Sequence, residues 1–505
     1  MSVDIHLSII RGGKCEVKDI LVKDIIDVCQ GKIACGSKEN AIKNVVRDTR
    51  EVKKGDTYIG FKGEHHDGSL MYEEALQNGA SVCILQNESV KDILDIQLLE
   101  KNYPDSTIIL VDNAIKALQE IAKFKRSLYN IPVVGITGSV GKTSTKDIIA
   151  SVMAKKYNVH KTQGNYNNQI GVPLTVMGLK DHNAMVIEMG MNMPNEISAL
   201  SQIAKPSVAV ITNVGTAHIG NLGSRENILK AKLEILDGLD KDGTLIINND
   251  NDMLHNWYEG YKENNNNVKS KSNDSNNDEI NNSKNIKIVT FGMENQSDIM
   301  PYDVKLSENG SSYKIDVDGK TYNVNISVGG NHFVLNSLCA IAVGRQFEIN
   351  MEEILEGIAN FELTKRRMQV EKNKEGITII NDCYNANFDS MKAALEYLGK
   401  LTANKKIAVL GDMLELGDFS KELHEKVGEE VYKNNIDILI TVGTMSRDIA
   451  AKAIEKGMNK EKTYICENNN QAIEFVKKLA QKGDAILLKA SNGLNFQEIF
   501  NEIIK

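Results

Sequence analysis

The residues whose types and spacing could most clearly do chemistry lie between positions 133 and 149, in VVGITGSVGKTSTKDII. A strand-like apolar run enters a glycine-rich turn and then Gly-Lys-Thr, and a helical pattern follows. Such a loop can hold a phosphate group, because backbone N–H groups and a helix N-terminus converge on one anion. In a loop of this kind the lysine neutralises phosphate charge and the threonine hydroxyl holds Mg²⁺. The candidate nucleotide-binding residues are Gly138, Ser139, Gly141, Lys142, Thr143 and Ser144.

The spacing of this loop departs from the usual G-x-x-x-x-G-K-[ST] pattern, since Ile136 occupies the place of the first glycine. Gly135 and Gly138 must close the turn instead. A purely structural glycine-rich turn is the alternative interpretation. Because Lys142 and Thr143 follow at the correct offset, between a strand and a helix, the sequence favours a phosphate-binding loop.

The composition of the chain limits the classes of function that it can have. The chain has 505 residues, 41% of them apolar, and a net charge of −8 from 60 basic and 68 acidic residues. At roughly 150 residues a domain, about three domains are expected. An acidic chain has no electrostatic footprint for nucleic acid, so no nucleic-acid partner is expected. No signal peptide or membrane span is recognisable. The seven cysteines never stand in C-x-x-C spacing, which favours a reducing cytoplasm.

The order of strands and helices predicts three α/β domains. Strands at 132–137, 184–189, 207–213 and 244–248 alternate with helical patterns, as in parallel βαβ units. Strands at 286–292, 311–319 and 321–330 are expected to form hairpins. Residues 264–285, mostly Asn, Ser, Lys and Asp, are expected to be an unordered surface insertion. The last part alternates strands and helices again, as a separate doubly wound, Rossmann-like α/β domain without a phosphate loop. The predicted domains are 1–111, 112–363 and 364–505.

Further motifs resemble the Mur ligase family, which shares the shifted phosphate loop with folylpolyglutamate synthetases. The resemblance extends over all three predicted domains. It implies that the first binds a uridine nucleotide, the second ATP, and the third the incoming dipeptide while closing over ATP. The motifs are DTREVKKGDTYIGFKGEHHDG (48–68), KTQGNYNNQIGVPLTVM (161–177), VIEMGMNMPNEI (186–197), ITNVGTAHIGNLGSRENILKAKLEI (211–235), NDCYNANFDSM (381–391) and VLGDMLELG (409–417).

The resemblance implies ATP-driven amide formation. A carboxylate becomes an acyl phosphate, which an amine then attacks, so the protein must mainly position groups and neutralise charge. The last two motifs resemble the branch that joins D-alanyl-D-alanine to UDP-N-acetylmuramoyl-tripeptide, and these two molecules are the expected substrates. We expect a monomer. The sequence does not distinguish diaminopimelate from lysine as the third peptide residue.

Two Mg²⁺ ions are implied by the same resemblance. Thr143 and Glu188 match the ligands of the first ion, and His218 matches a ligand of the second. Lys232 matches a lysine that CO₂ converts to a carbamate in this family, giving Mg²⁺ the oxygen ligands that it prefers. The expected catalytic residues are Lys142, Glu188, His218, Lys232 and Arg367.

GGNHFVLNSL (329–338) matches a nucleotide-contacting motif in which Asn336 is kept and Phe333 replaces an asparagine. Arg367 and Asp382 match residues near the nucleotide and its ribose. Cys383 stands where serine is usual and is not expected to be a nucleophile, since no partner histidine is identifiable. The expected substrate-contacting residues are Thr49, Arg50 and Lys62 for the uridine nucleotide, Thr162, Asn165 and Asn168 for the muramoyl side, and Asn385, Asn387, Asp412 and Glu415 for the dipeptide.

Two other functions compete with this interpretation. One is another ligase of the same superfamily, adding the third amino acid or glutamate. The other is a nucleotide-driven switch that keeps the loop but has lost ligation. Glu188, His218 and Lys232 are all present, which argues against the switch, and the motifs at 381–391 and 409–417 argue against the sister ligases.

Overall fold

The computed structural model describes residues 19–271, 286–307 and 310–505. Within them the chain forms four β-sheets, of 5, 6, 3 and 6 strands. Three of these sheets lie in successive stretches of the chain and are flanked by helices, which gives the predicted three-part α/β architecture. None of the helices in this described part combines the length and apolar character needed to cross a membrane.

The first sheet has the order β1-β5-β4-β3-β2 and is parallel except for β1, which pairs antiparallel with β5. Its buried strands β3 and β4 are nearly continuous apolar runs, as parallel strands covered on both faces require. The elements are β1 Lys32–Cys35, β2 Val45–Val46, β3 Thr57–Ile59, β4 Val82–Gln86 and β5 Thr107–Val111, with helices α1 Val22–Ile25, α2 Tyr72–Gln77, α3 Asn87–Val90, α4 Ile96–Asn102 and α5 Ala114–Ser127.

The second sheet is wholly parallel, in the order β11-β10-β9-β6-β8-β7. Its central strand β6 leads into the glycine-rich loop and has every residue buried. The elements are β6 Val133–Thr137, β7 Val159–Lys161, β8 Ala184–Glu188, β9 Val208–Ile211, β10 Thr244–Asn248 and β11 Lys287–Phe291, with helices α6 Lys142–Met153, α7 Gly171–Met177, α8 Glu196–Ala204, α9 Ile219–Leu222, α10 Arg225–Leu233 and α11 Asp252–Lys271.

Two expectations for this region differ from the structure. The strand Lys287–Phe291 is not part of a hairpin, because it pairs parallel with β10 and extends the central sheet. Helix α11 continues to Lys271 and so includes the first part of the segment 264–285 that was expected to be unordered. The remainder of that segment, 272–285, lies outside the described residues.

A three-stranded antiparallel sheet follows, with strands β12 Pro301–Ser307, β13 Gly310–Val317 and β14 Lys320–Ile326. The antiparallel pairing of β13 and β14 is the predicted hairpin. Two helices return the chain to the phosphate-loop helix α6, against which both pack. They are α12 Asn331–Gln346 and α13 Met351–Ala359.

The last sheet has the order β15-β16-β20-β17-β18-β19 and is parallel except for the edge strand β15. Helices on its faces make it the doubly wound unit expected from the sequence. The elements are β15 Gln369–Lys372, β16 Thr378–Asn381, β17 Lys406–Gly411, β18 Ile438–Val442, β19 Thr463–Cys466 and β20 Ala485–Lys489, with helices α14 Phe388–Lys400, α15 Ser420–Lys433, α16 Arg447–Lys456, α17 Asn469–Leu479 and α18 Gln497–Ile503.

Candidate active site

The glycine-rich loop connects the carboxyl end of β6 to the N-terminus of α6, where helix geometry leaves N–H groups without partners inside the helix. Gly141 precedes the helix with a φ of 81°, a left-handed conformation that glycine adopts readily. Gly138 has a φ of 153°, and a Cβ added there would lie 1.9 Å from Thr212 Oγ1. Both glycines are therefore required by the shape of the loop, one by its backbone angle and the other also by lack of space.

Asn213, which follows β9, holds this loop from the side. Its Oδ1 accepts hydrogen bonds from the backbone N–H groups of Ser139 and Val140, each at 2.9 Å. Thr212 Oγ1 donates to the carbonyl of Val140 at 2.6 Å. Since Ile136 replaces the usual first glycine, these contacts from the neighbouring strand help to fix the shape of the turn.

Lys142 begins helix α6, and its Nζ donates to the carbonyl of Gly138 at 2.7 Å. Burial lowers the pKa of this ammonium, Glu188 opposes the shift, and the charge of Arg367 adds to it. A cation held among other cations at the mouth of a phosphate-binding loop is well placed to bind an anion.

Glu188 ends strand β8, next to β6, and only 2% of it is exposed. Its Oε1 accepts a hydrogen bond from Asn167 Nδ2 at 2.7 Å, while its buried Oε2 has no hydrogen-bond partner. A buried carboxylate oxygen without a partner is costly unless a cation or ligand satisfies it. Thr143, on the adjacent helix α6, is also buried. Together these two residues present the hard oxygen donors that suit Mg²⁺.

Lys232 lies in helix α10 and is 1% exposed. No carboxylate lies within 4.0 Å of its ammonium in the part of the chain that the structure describes. Burial lowers the pKa of Lys232 well below its ordinary value, and the nearby charge of Lys142 lowers it further. A lysine in these surroundings favours its neutral amine, the form that can react with CO₂.

His218 lies in the loop between β9 and α9, with a left-handed φ of 63°. Its Nδ1 is 2.7 Å from Oε2 of Glu415, a residue of the last domain. This close contact with His218 lowers the pKa of Glu415. This contact leaves the opposite ring nitrogen of His218 available to a ligand.

Arg367 stacks on Tyr384 with its guanidinium carbon 4.0 Å from the ring centre, and its Nη2 donates to Thr143 Oγ1 at 3.4 Å. Asp382 Oδ1 accepts a hydrogen bond from the backbone N–H of Met368 at 3.1 Å. Its Oδ2 accepts from the buried Lys489 ammonium. These contacts bring the start of the last domain against the phosphate loop.

A cavity of about 400 Å³ lies at this junction. It opens along the phosphate loop on one side and along residues of the last domain on the other. Asn336, in α12, has a buried Nδ2 without a hydrogen-bond partner and lines this cavity. Predicted site residues around the cavity are Ser139, Gly141, Lys142, Thr143, Ser144, Asn165, His218, Asn336, Arg367, Asp382, Asn385, Asn387 and Glu415.

The three residues expected to contact the uridine nucleotide lie in the first domain, away from this cavity. Thr49 is buried, and its backbone carbonyl accepts from Asn78 Nδ2 at 2.9 Å. Arg50 is exposed and pairs with Asp48 at 2.6 Å. Lys62 is exposed beside Asp67. Only Arg50 and Lys62 present their side chains to solvent, where a ligand could reach them.

The predicted residues Gly138, Glu188 and Lys232 do not line the cavity either. Three other predicted residues have structural contacts instead of facing the cavity. Thr162 is fully buried, and its hydroxyl accepts from the backbone N–H of Glu188 at 3.0 Å. Asn168 Oδ1 accepts from the N–H of Gly171 at 2.9 Å, at the start of α7. Asp412 is buried and accepts from the N–H of Ser446 at 2.7 Å. Each of these side chains satisfies backbone groups that fix nearby site residues or loops.

Several site residues were not predicted from the sequence. Asn213 holds the phosphate loop, Asn167 holds Glu188, and Lys489 pairs with Asp382. The polar residues at or just after the carboxyl ends of buried strands β9 and β20 were a usable signal, because strand ends of a parallel sheet meet at one edge. Tyr384 lies within a quoted motif, and its stacking on Arg367 is a contact that only the fold reveals.

Comparison with known proteins agrees with this arrangement. The chain matches three family models: the Mur ligase family catalytic domain over residues 41–126, the Mur ligase middle domain over 136–286 and 278–344, and the Mur ligase glutamate ligase domain over 366–492. A ligase of Bacillus subtilis named UDP-N-acetylmuramoyl-tripeptide–D-alanyl-D-alanine ligase is 37% identical over 488 residues, which cover 96% of this chain and 98% of the relative.

Solved structures show the same likeness. A crystal structure of MurF from Acinetobacter baumannii has a TM-score of 0.81 and 25% identity, covering 97% of this chain and 100% of that one. MurF ligase from Thermotoga maritima, solved in complex with ADP, has a TM-score of 0.73 and 26% identity, covering 91% of this chain and 96% of that one. With matches over all three domains and a phosphate loop in the expected place, the chain belongs to the Mur ligase family.

Proposed function

We propose that this protein is an ATP-dependent ligase that joins D-alanyl-D-alanine to UDP-N-acetylmuramoyl-tripeptide, producing the pentapeptide precursor of peptidoglycan, ADP and phosphate. The observation that carries the proposal is that the phosphate loop faces residues of both C-terminal motifs, 381–391 and 409–417, across one cavity. The relative in Bacillus subtilis is named for this reaction and matches nearly the whole chain.

The chemistry follows from what the cavity holds. The terminal carboxylate of the tripeptide attacks the γ-phosphorus of ATP, and the bond from that phosphorus to the bridging oxygen breaks, releasing ADP. The amine of the dipeptide then attacks the acyl phosphate carbon, loses a proton, and expels phosphate through a tetrahedral intermediate. Lys142 and Arg367 neutralise the phosphate charge in these steps, because both line the cavity at the loop.

Mg²⁺ suits the donors present on the central domain. Glu188 has a buried oxygen without a partner and Thr143 offers a hydroxyl, so these two residues would hold one ion. Such an ion would neutralise charge on the phosphate oxygens and help to align them. Among the residues that the structure describes, no group of three or more His, Cys, Asp or Glu side chains could hold a metal ion. We therefore expect phosphate oxygens to complete both metal sites, with His218 near the second.

We also propose that Lys232 is carbamylated. A buried ammonium beside another cation is unfavourable, and its conversion to a carbamate replaces the positive charge by an anion with two oxygen ligands. Neither arginine nor glutamine can form this group. A ¹³C NMR spectrum of the protein in ¹³C-bicarbonate should show a carbamate carbon that is absent from a Lys232→Arg variant. A spectrum without that signal, or a signal that persists in the variant, would rule the assignment out.

The three predicted domains retain their proposed roles. The uridine nucleotide is expected on 1–111, beside Arg50 and Lys62, and ATP on 112–363. The dipeptide is expected on 364–505, beside Asn385, Asn387 and Glu415, all of which line the cavity. We propose that the enzyme acts as a monomer in the cytoplasm, where ATP and activated sugar precursors are available. Scattering measurements in solution would test the oligomeric state.

The function is tested by phosphate release with UDP-N-acetylmuramoyl-tripeptide, supplied with either diaminopimelate or lysine as its third residue. Release should depend on D-alanyl-D-alanine and should not occur with single amino acids or glutamate. Lys142→Ala is the control for contaminating ATPase activity. Acceptance of a single amino acid instead of the dipeptide would indicate a sister ligase, and ATP hydrolysis that is independent of every acceptor would indicate a switch.

A further inference from the structure

Residues 215–220, called the His218 loop below, include most of the connection from β9 and the first two residues of α9, at the edge of the cavity. It is anchored to the phosphate loop, because the backbone N–H of Gly215 donates to Ser139 Oγ at 2.9 Å. It is also held from the last domain at two separate points. A loop that contacts both the phosphate loop and the last domain can transmit a change in the position of the domain to the phosphate loop.

The first point is Asp389, in the first turn of α14. Its Oδ2 accepts two hydrogen bonds from Thr216, from the backbone N–H at 2.9 Å and from the hydroxyl at 3.1 Å. A Cβ added to Gly215 would lie 2.1 Å from the same carboxylate oxygen. The carboxylate can therefore reach the backbone of the loop only because residue 215 has no side chain.

The second point is the segment 415–417. The N–H of Gly220 donates to the carbonyl of Glu415 at 3.3 Å, and a Cβ on Gly220 would lie 2.7 Å from the backbone N of Gly417. The Glu415 carboxylate meets His218 between the two glycines. Because Gly215 and Gly220 have no side chains, the last domain can contact the backbone of the His218 loop at both ends of the loop.

We propose that Asp389 is a positioning residue: when the last domain closes, its carboxylate sets the conformation of the His218 loop and thereby the placement of His218 and Ser139 toward the reacting phosphate. That Asp389 fixes the conformation of the loop is inferred from the two contact points alone. Its effect on the reaction rests on the proposed function. Because both hydrogen bonds end on the same carboxylate oxygen, losing them should favour opening of the loop by roughly ten- to a hundredfold.

Hydrogen–deuterium exchange measures this opening directly. In the full-length protein, peptides covering 215–222 should exchange roughly ten- to a hundredfold faster in Asp389→Ala than in wild type, while peptides from β9 remain protected. Asp389→Asn keeps a carbonyl acceptor and should recover part of the protection. Glu396→Ala is the matched control, since Glu396 lies on the same helix and lines the same interdomain seam. Equal exchange in Asp389→Ala and wild type would overturn the proposal.

Steady-state kinetics separate positioning from a general loss of folding. Asp389→Ala should lower kcat by roughly tenfold or more at saturating substrates and leave the KM for UDP-N-acetylmuramoyl-tripeptide nearly unchanged, with partial recovery in Asp389→Asn. An unchanged kcat, or the same loss in Glu396→Ala, would contradict the proposed role in positioning. If the wild-type protein ligates no acceptor, the proposed function fails, and the exchange result still decides whether Asp389 holds the loop.

Discussion

Replacing Gly138 by alanine tests the geometry of the phosphate loop most directly. The new Cβ would lie 1.9 Å from Thr212 Oγ1, where real carbon–oxygen contacts are longer than 3 Å, so one of the two must move by about 1 Å. The hydroxyl is not free to move, since it donates to the carbonyl of Val140 at 2.6 Å. The residue would also retain a φ of 153°, which alanine adopts with strain.

The two effects can be added. Backbone strain of this kind costs about 1–2 kcal/mol and overpacking about 1–3 kcal/mol, so Gly138→Ala should lower the free energy of unfolding by about 2–5 kcal/mol. For a unit the size of the central domain this corresponds to a fall in melting temperature of roughly 4–20 °C. Gly141→Ala is the matched control. Its φ is 81°, but the nearest atom to an added Cβ is Asn336 Oδ1 at 3.4 Å, so only about 1–2 kcal/mol of strain is expected.

A double variant separates the clash from the strain. Thr212→Ala removes the clashing oxygen and, by itself, should cost about 1 kcal/mol for the lost hydrogen bond to Val140. Gly138→Ala combined with Thr212→Ala should therefore be less destabilised than the sum of the single variants, by about 1–3 kcal/mol. Thermal unfolding followed by fluorescence, in the absence of nucleotide, measures the loss of stability in the three single variants and in the double variant. Strictly additive losses, or a Gly141→Ala variant as unstable as Gly138→Ala, would refute the reasoning.

Three further outcomes are expected. Lys142→Ala should lower ATP turnover by at least about 10²-fold without changing the melting temperature, because the loop backbone keeps its shape while the charge is lost; near-normal turnover in phosphate-release assays would contradict the site. Asn213→Ala should lower stability by about 1–3 kcal/mol and raise the KM for ATP, since the N–H of Val140 loses its acceptor and the N–H of Ser139 keeps only the backbone carbonyl of residue 213, at 3.1 Å. An unchanged melting curve and KM would show that the Asn213 side chain does not hold the loop. Burial lowers the pKa of His332 from 6.5 to about 4, so the unfolded chain takes up a proton first as the pH falls. The free energy of unfolding should therefore decrease between pH 6.5 and pH 4. Denaturant titrations of His332→Gln should show a smaller decrease over that window than wild type, and an identical decrease would contradict this role of His332.

Local patterns predicted the parts of the fold that local energetics determine. The four central strands at 132–137, 184–189, 207–213 and 244–248 are apolar runs bounded by turns, and all four are strands of one parallel sheet. The edge strand Val159–Lys161 was not predicted because it is short and only half-buried. The strand Lys287–Phe291 was predicted with the wrong pairing. Its partner β10 is fixed by contacts across the sheet, which no short window of sequence contains.

The same distinction applies to the site. The phosphate loop was predictable because its residues are adjacent in sequence and each has a defined role. Asp389 and Thr216 lie 173 residues apart, and their contact exists only after the last domain packs on the central one. Phe333, which replaces an asparagine, is 1% exposed, with its ring centre 6.3 Å from that of Phe361. Phe333 packs in the core, so the replacement of asparagine in this motif affects packing and not a contact with the nucleotide.

The charges around the cavity explain why the two domains must meet there. Arg367 lowers the pKa of Lys142, and Lys142 lowers that of Lys232, so Lys142 is repelled by two other basic side chains, while the buried Glu188 opposes part of that effect. Repulsion between like charges increases as water is excluded. A polyphosphate relieves it, and a carbamate on Lys232 would remove one of the positive charges. Since Arg367 arrives with the last domain, closure without an anion adds to the repulsion, whereas closure over ATP is favoured. The arrangement therefore links the binding of nucleotide to the approach of the residues that hold the second substrate.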